Sequence, residues 1–303
     1  MDNESTLSTI YSEDVSLMVV ILDINPLFWT SVNSNTNSLT FTKFMDQFLP
    51  LLNSVLLLNQ LNEIVLIAHG INSCGYIYNS SMENRRGGKR GPAFFAEVSE
   101  KLKEFMEADC LHRKGAKSTS TIVPSLLSGS LSLALCYIQR VFRSRPIYPR
   151  PRILCLQGSP DGPEQYVAVM NAIFSAQRSS VLIDSCVLGL NSAFLQQASH
   201  ITGGVYIKPQ QLDGLFQCLS MVFATDVQSR SFLQLPKPAG VDFRASCFCH
   251  KTTISMGYIC SVCLSIFCKR HKKCSTCGSD FNRPNSNSKS SPVQKSKRKL
   301  DDR

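Results

Sequence analysis

The most constraining feature of the sequence is a run of six apolar residues, 17–22, that continues without alternation into Asp23. A strand that is apolar on both faces has to be covered on both faces, as at the centre of a parallel sheet between two layers of helices. In open sheets of this kind, ligands bind beyond the carboxyl ends of the strands, and Asp23 stands at such an end. The run therefore predicts an α/β fold and makes Asp23 a candidate site residue.

Further apolar segments alternate with helical patterns along the chain. Strands are predicted at residues 16–23, 62–69, 75–78, 152–157, 180–187 and 204–207. Helices are predicted at residues 41–56, 92–108, 124–142, 163–177, 192–199 and 212–224. The proline-rich residues 143–152 are predicted to form an extended connector. The alternation indicates right-handed crossovers and a mostly parallel sheet covered by helices on both faces.

Charge divides the chain into unequal parts. Residues 1–246 contain 20 Lys and Arg against 19 Asp and Glu, whereas residues 247–303 contain 12 against 3. Neither a signal peptide nor an apolar run of about 20 residues is visible, so we expect an intracellular protein. The predicted organisation is an N-terminal extension (1–14), an α/β domain (15–226), a linker (227–246), a cysteine-rich zinc module (247–282) and a disordered basic tail (283–303).

Seven of the 13 cysteines lie between Cys247 and Cys277. In a chain without a secretory signal, such crowding is typical of metal binding rather than of disulfides. Two Cys-x-x-Cys pairs predict one tetrahedral zinc site, whose ligands are Cys260, Cys263, Cys274 and Cys277. The remaining candidates permit a second zinc ion in a cross-braced module, with ligands drawn from Cys247, Cys249, His250, Cys268 and His271.

Two basic clusters are candidate partner-binding segments. The first lies in a polar loop and consists of Arg85, Arg86, Lys89 and Arg90. It fits contact with nucleic acid or an acidic partner, and the alternative is a solvated loop. The second lies in the tail and consists of Lys295, Lys297, Arg298 and Lys299. It fits a nuclear-import patch or a non-specific phosphate contact, and the alternative is a solvated tail.

The motifs of common enzyme classes are missing from the sequence. There is no phosphate-binding loop of the Gly-x-x-x-x-Gly-Lys-Ser/Thr type and no Gly-x-Ser-x-Gly elbow. The five histidines form no catalytic set. We therefore expect that the protein is not an enzyme, and we assign no catalytic residue.

Several segments resemble known families. Residues 197–206, Gln-Ala-Ser-His-Ile-Thr-Gly-Gly-Val-Tyr, are similar to a segment that recurs in von Willebrand factor A domains. More narrowly, four segments resemble the family of small von Willebrand A-bearing subunits of the transcription and repair factor TFIIH. They are Ile-Leu-Asp-Ile-Asn-Pro (21–26), Leu-Cys-Tyr-Ile-Gln-Arg (135–140), Cys-Phe-Cys-His (247–250) and Gly-Tyr-Ile-Cys-Ser-Val-Cys-Leu-Ser-Ile-Phe-Cys (257–268). The resemblance implies a von Willebrand factor A-like (Rossmann-like) fold and a small C-terminal zinc-binding module.

The same resemblance bears on Asp23, because metal-binding members of the von Willebrand A family have Asp-x-Ser-x-Ser after the first strand. Here Asn25 and Leu27 replace the two serines, Ser125 stands in for the family's threonine, and Asp161 comes later than the second aspartate should. A hard cation needs a nearly complete set of oxygen ligands. We therefore expect no Mg²⁺ at this degenerate cation site, where Asp23 and Asn25 would hydrogen-bond the local backbone instead.

The TFIIH resemblance also implies a function. The chain would be a non-catalytic structural subunit of the TFIIH core complex, acting in RNA polymerase II transcription initiation and nucleotide excision repair. It would bind other core subunits in the nucleus, chiefly a second von Willebrand A-bearing zinc subunit, and DNA only indirectly or weakly. No membrane and no small-molecule substrate is expected. Two alternatives remain: a RING-like ubiquitin ligase and a metal-dependent adhesion-type binding module.

Overall fold

The run that ends at Asp23 is the central strand of a six-stranded sheet in the computed structural model of the chain. The strands follow the order β3-β2-β1-β4-β5-β6, and all neighbours are parallel except β2 and β3. They are β1 (Tyr11–Asp23), β2 (Glu63–His69), β3 (Cys74–Asn79), β4 (Tyr148–Gln157), β5 (Leu182–Val187) and β6 (Tyr206–Ile207). The predicted α/β class with a mostly parallel sheet is confirmed.

The structure describes residues 11–33, 40–81, 92–111, 123–144, 148–236, 240–241, 243–250, 252–263 and 265–281. The chain forms two compact units, Met1–Phe243 and Arg244–Arg303. The sheet belongs to the first unit. The second unit contains two short antiparallel pairs, formed by β7 (Ala245–Ser246) with β8 (Thr253–Ile254) and by β9 (Tyr258–Ile259) with β10 (Ile266–Phe267).

Helices cover both faces of the sheet. They are α1 (Pro26–Asn33), α2 (Phe41–Leu58), α3 (Pro92–Leu111), α4 (Leu127–Ser144), α5 (Tyr166–Arg178), α6 (Ala193–Thr202) and α7 (Leu215–Leu219), which continues as a π-helical turn at Ser220–Ala224. Side chains of β1 alternate between two apolar clusters, because successive strand residues point to opposite faces. Met18 and its alternate neighbours pack with α1, α2, α3 and α7, whereas Leu17 and its alternate neighbours pack with α4, α5 and α6.

Two elements differ from the predictions. Helix α1 was not predicted, although its first residue, Pro26, is a residue type favoured at that position. Strand β4 begins at Tyr148 rather than at residue 152, so part of the predicted connector is in the sheet. Its two prolines, Pro149 and Pro151, occupy alternate positions, and therefore the N–H groups that they lack belong to one side of the strand only.

A buried ion pair fixes the segment after α7 to the sheet. Arg230, in a short 3₁₀ turn, donates from Nη1 and Nη2 to the two carboxylate oxygens of Asp184 at 2.8 and 2.6 Å. The exposed fractions are 9% for Arg230 and 1% for Asp184. Nearby, the buried guanidinium of Arg152 donates to the carbonyl of Thr225 at 2.6 Å. Burial lowers the pKa of Arg152 to about 10, so it still carries its charge at neutral pH.

Replacing Arg230 with methionine should destabilise the first unit by about 3–5 kcal/mol, because the substitution leaves the Asp184 carboxylate buried without its main partner. Denaturant unfolding followed by the emission of Trp29, the single tryptophan of the chain, measures this change. Arg178→Met is the matched control, since Arg178 is exposed and should tolerate the substitution. Equal stability of the two variants would contradict the prediction.

Candidate functional site

The carboxyl end of β1 is closed by hydrogen bonds from the chain itself. One carboxylate oxygen of Asp23 accepts from the backbone N–H of Asn25 at 3.0 Å. The other accepts from the N–H groups of Gly158 and Ser159, just after β4, at 3.0 and 2.6 Å. Asp23 is 1% exposed. Its carboxylate therefore already has three donors and no open side toward solvent.

The side chain of Asn25 joins three loops at the same end of the sheet. Its amide nitrogen donates to the carbonyl of Val123 at 2.7 Å and to the hydroxyl of Ser159 at 2.9 Å. Its amide oxygen accepts from the N–H of Leu27 at 3.0 Å. Asn25 is fully buried. An amide in this position thus performs a structural task, since it ties the turn after β1 to two other segments.

Ser125 and Asp161, the other two residues of the degenerate site, also bind protein groups. The hydroxyl of Ser125 accepts from the side-chain amide of Gln157 at 3.0 Å. The carboxylate of Asp161 accepts from the Ser192 hydroxyl and from the N–H of Phe194, at the start of α6. Burial raises the pKa of Asp161, although these hydrogen bonds oppose the change. Asp161 therefore caps α6, and Ser125 belongs to the network at the end of β4.

Four further residues at this end of the sheet were not predicted. Gln157 and Ser159 hydrogen-bond the predicted residues, and Gly158 packs so closely on Phe28 that a Cβ at this position would overlap the ring. The fourth is His69, which is fully buried, and neither ring nitrogen has a hydrogen-bond partner among the described residues. Burial lowers the pKa of His69, outweighing the nearby carboxylates, so the imidazole is neutral at pH 7.

In the second unit, four side chains form a first metal-binding cluster: Cys247, Cys249, His250 and Cys268. Their ligand atoms all lie within 4.8 Å of one another. The Sγ atom of Cys268 is 3.4 Å from that of Cys249 and 3.0 Å from Nδ1 of His250. His271 lies outside this cluster, with its ring edge-on to Phe267 at 5.1 Å between centroids. The structure thus brings His250, rather than His271, to the three cysteines.

A second cluster consists of Cys260, Cys263, Cys274 and Cys277. The Sγ atoms of Cys260 and Cys277 are 3.7 Å apart, and those of Cys263 and Cys274 are 3.6 Å apart. These distances are far too long for disulfides, and they match the edge of about 3.8 Å in a tetrahedron with zinc–sulfur bonds of roughly 2.3 Å. The donor set therefore fits a tetrahedral ion that prefers thiolate ligands.

Local hydrogen bonds favour the thiolate form of Cys260 in this cluster. The N–H of Cys263 and the hydroxyl of Ser279 hydrogen-bond the sulfur of Cys260, and together they lower the pKa of Cys260 to about 6. The thiolate is the form that binds metals. The two clusters alternate along the chain, because Cys268 of the first lies between Cys263 and Cys274 of the second. Both clusters can hold a metal ion, and they interlock in sequence.

The two predicted basic clusters lie outside the described residues. This applies to Arg85, Arg86, Lys89 and Arg90, and to Lys295, Lys297, Arg298 and Lys299. Within the part of the chain that is described, no helix has the length and the apolar character needed to cross a membrane. Groups of three or more metal-binding side chains occur, among those same residues, only in the second unit.

Replacing Asp23 with alanine should lower the free energy of unfolding by about 2–4 kcal/mol, because three buried N–H groups lose their acceptor. Added Mg²⁺ should leave the stability of the parent protein unchanged. Denaturant titrations with and without Mg²⁺ test both statements, and Asp46→Ala is the control because Asp46 is exposed. Stabilisation by Mg²⁺ that disappears in the Asp23 variant would contradict this account.

Comparison with known proteins identifies relatives along most of the chain. The family described as Transcription factor Tfb4 matches residues 15–278. A General transcription and DNA repair factor IIH subunit TFB4 from Arabidopsis thaliana is 64% identical over 277 residues, which are 89% of this chain and 90% of the relative. A protein of the same description from Schizosaccharomyces pombe is 36% identical, over 93% of this chain and 96% of the relative.

A solved structure with the same arrangement is the crystal structure of the TFIIH p34 N-terminal domain. It matches 70% of this chain and 99% of its own chain, with 27% sequence identity and a TM-score of 0.56. The match agrees with the von Willebrand factor A-like fold that the sequence predicts for the first unit. The chain belongs to the Tfb4/p34 family of subunits of the general transcription and DNA repair factor TFIIH.

Proposed function

We propose that the chain is a non-catalytic structural subunit of the TFIIH core complex, which acts in RNA polymerase II transcription initiation and nucleotide excision repair. The proposal that the chain is non-catalytic is supported chiefly by the carboxyl end of β1, which the chain fills with its own groups. The Asp23 carboxylate binds three backbone N–H groups there and is 1% exposed. In open α/β sheets this end is where ligands bind. A chain that fills it with its own loops is suited to docking rather than to chemistry.

The cysteine clusters support a structural role for zinc. One ion would be held by Cys260, Cys263, Cys274 and Cys277, and a second by Cys247, Cys249, His250 and Cys268. The apolar core of the second unit is small, since Phe267 is its only buried apolar side chain other than cysteines among the described residues. Bound zinc supplies the cross-links that such a core lacks. No ion is proposed at Asp23.

The proposed zinc content can be measured directly. Elemental analysis of the full chain should find two zinc ions per molecule, because two clusters have complete donor sets. Cys263→Ser should lower the zinc content, whereas Cys136→Ser, at an exposed cysteine of the first unit, should not. A chelator should expose the backbone of the second unit to hydrogen exchange and leave the emission of Trp29 unchanged. A chain that contains no zinc would contradict the proposal.

The proposed partners are the other TFIIH core subunits, chiefly a second von Willebrand A-bearing subunit with its own zinc modules. Family membership supports this assignment, and so does the pairing of a rigid α/β unit with a separate cysteine module. The proposed location is the nucleus. DNA contact by the subunit itself would be weak or indirect, and other subunits of the complex would perform the catalysis.

Native purification from nuclei tests the proposal. A tagged chain should be recovered with the core subunits of TFIIH, and Cys263→Ser should recover fewer of them because the zinc module would lose its fold. Cys136→Ser serves as the matched control and should recover the full set. A chain that elutes as a monomer from such nuclei would overturn the proposal.

A second candidate function is RING-like ubiquitin ligation. The observation that favours it is the interleaved order of the two clusters, with Cys268 placed between the two pairs of the other set. RING modules also alternate their two ligand sets along the chain, although they place two ligands of the first set between the pairs of the second, where this chain places one. Ubiquitin conjugates made by the purified chain with a conjugating enzyme would favour this candidate. It rests on analogy of shape alone, so the structural role is the primary proposal.

A further inference from the structure

Residues 269–273 form a continuous basic loop between the two cysteine clusters. Their sequence is Lys-Arg-His-Lys-Lys. The residue before the loop, Cys268, belongs to the first cluster, and the residue after it, Cys274, belongs to the second. If zinc is bound as proposed, both ends of the loop are attached to metal ligands. A loop held in this way loses little entropy when it binds a partner.

The centre of the loop is fixed as well. The ring of His271 packs edge-on against Phe267, whose side chain is fully buried. The four flanking cations, Lys269, Arg270, Lys272 and Lys273, are all exposed. None of the four makes an ion pair or a side-chain hydrogen bond within the described part of the chain. Within the part of the chain that the structure describes, the loop thus presents four positive charges without a side-chain partner from a short, anchored segment.

The carboxylates of the second unit do not compensate these charges. From residue 244 to residue 281 the chain has one acidic residue, Asp280, whose backbone pairs with Lys273. Metal-bound thiolates would offset part of the positive charge. Of the seven cysteines, three are buried, three are half-buried and Cys277 is exposed, whereas the four cations are all exposed. Seven thiolates with two zinc ions would carry a charge of −3, which is less than the charge of the four cations. The outer surface of the loop therefore remains available to an anion.

We propose that this loop binds the phosphate backbone of nucleic acid without sequence preference. Three of its four exposed cations are lysines, and lysine is depleted in the cores of protein–protein interfaces. A compact row of lysine and arginine is instead the usual footprint for phosphates, where each contact releases a counterion. The sequence that follows adds to the attraction, since residues 282–303 contain seven Lys and Arg against two Asp.

The salt dependence of DNA binding tests this proposal with the full, zinc-loaded chain. A fluorescent duplex DNA of mixed sequence is titrated at salt concentrations between about 50 and 200 mM. In a variant with Lys269→Gln, Arg270→Gln, Lys272→Gln and Lys273→Gln, the slope of log K against log salt should become less steep by about 3 to 4, since each phosphate contact contributes roughly 0.9. A second duplex of unrelated sequence should give the same slopes.

The matched control removes three lysines and one arginine from exposed positions of the first unit. Its substitutions are Lys43→Gln, Lys103→Gln, Lys208→Gln and Arg178→Gln. The control should bind nearly as the parent does. An equal loss in both variants would overturn the proposal, because net charge alone would then explain binding. Unchanged DNA binding in the loop variant would also overturn the proposal. The cations would then serve to neutralise the metal-bound thiolates.

Two further measurements keep the outcome decisive. Elemental analysis should find the same zinc content in the loop variant and in the parent. If the zinc content falls, the double variant Lys272→Gln with Lys273→Gln replaces the fourfold variant in the DNA titration. Its slope of log K against log salt should change by about half as much as that expected for the fourfold variant. Polyglutamate of equal total charge should compete poorly with the duplex. Competition as strong as that of unlabelled DNA would overturn the proposal in favour of an acidic protein.

Discussion

Burial of β1 on both faces is the constraint on which the first unit depends. A strand covered in this way has no water beside its ends, and so each polar group there needs a partner within the protein. The carboxylate of Asp23 accepts hydrogen bonds from three backbone N–H groups. The backbone carbonyl of Asp23 accepts a further hydrogen bond from the indole N–H of Trp29 at 3.1 Å. The same hydrogen bonds that satisfy the strand end also connect the turns after β1 and β4. The hydrogen bonds that close this site are therefore the same ones that stabilise this end of the sheet.

Much of this fold could be predicted from the sequence because β1, β2 and the second half of β4 contain continuous apolar runs. The polar contacts that complete the sheet could not be predicted in the same way. Asp184 and Arg230 are 46 residues apart, and nothing in the local pattern around either residue indicates the other. The bonds from Gln157 to Ser125 and from Asn25 to Ser159 depend equally on how distant loops meet. Helix α1 was missed because a proline after a strand indicates a turn as readily as a helix start.

In the cysteine module, by contrast, most of the candidate site could be predicted from the local sequence. Its spacing predicted the four-cysteine cluster, because ligand pairs two residues apart are a property of the local chain. The choice between His250 and His271 required the tertiary structure, since both lie within three residues of a cysteine. The structure places His250 beside Cys268 and His271 beside Phe267. The first unit is thus stabilised by apolar burial with a few buried polar links, whereas the described residues of the second place a few aromatic side chains around its sulfur atoms.

The edges of the six-stranded sheet have a consequence for how this subunit meets other proteins. Strand β6 contains only two residues, and so it offers a very short row of backbone groups to an incoming strand. On the opposite side, β3 runs against its neighbour, which ends the parallel part of the sheet. Strand addition to the β6 edge is therefore disfavoured, and so is uncontrolled self-association there. At the β6 edge, contacts with other subunits would therefore use helices and loops, whose side chains provide selectivity that a bare backbone edge lacks.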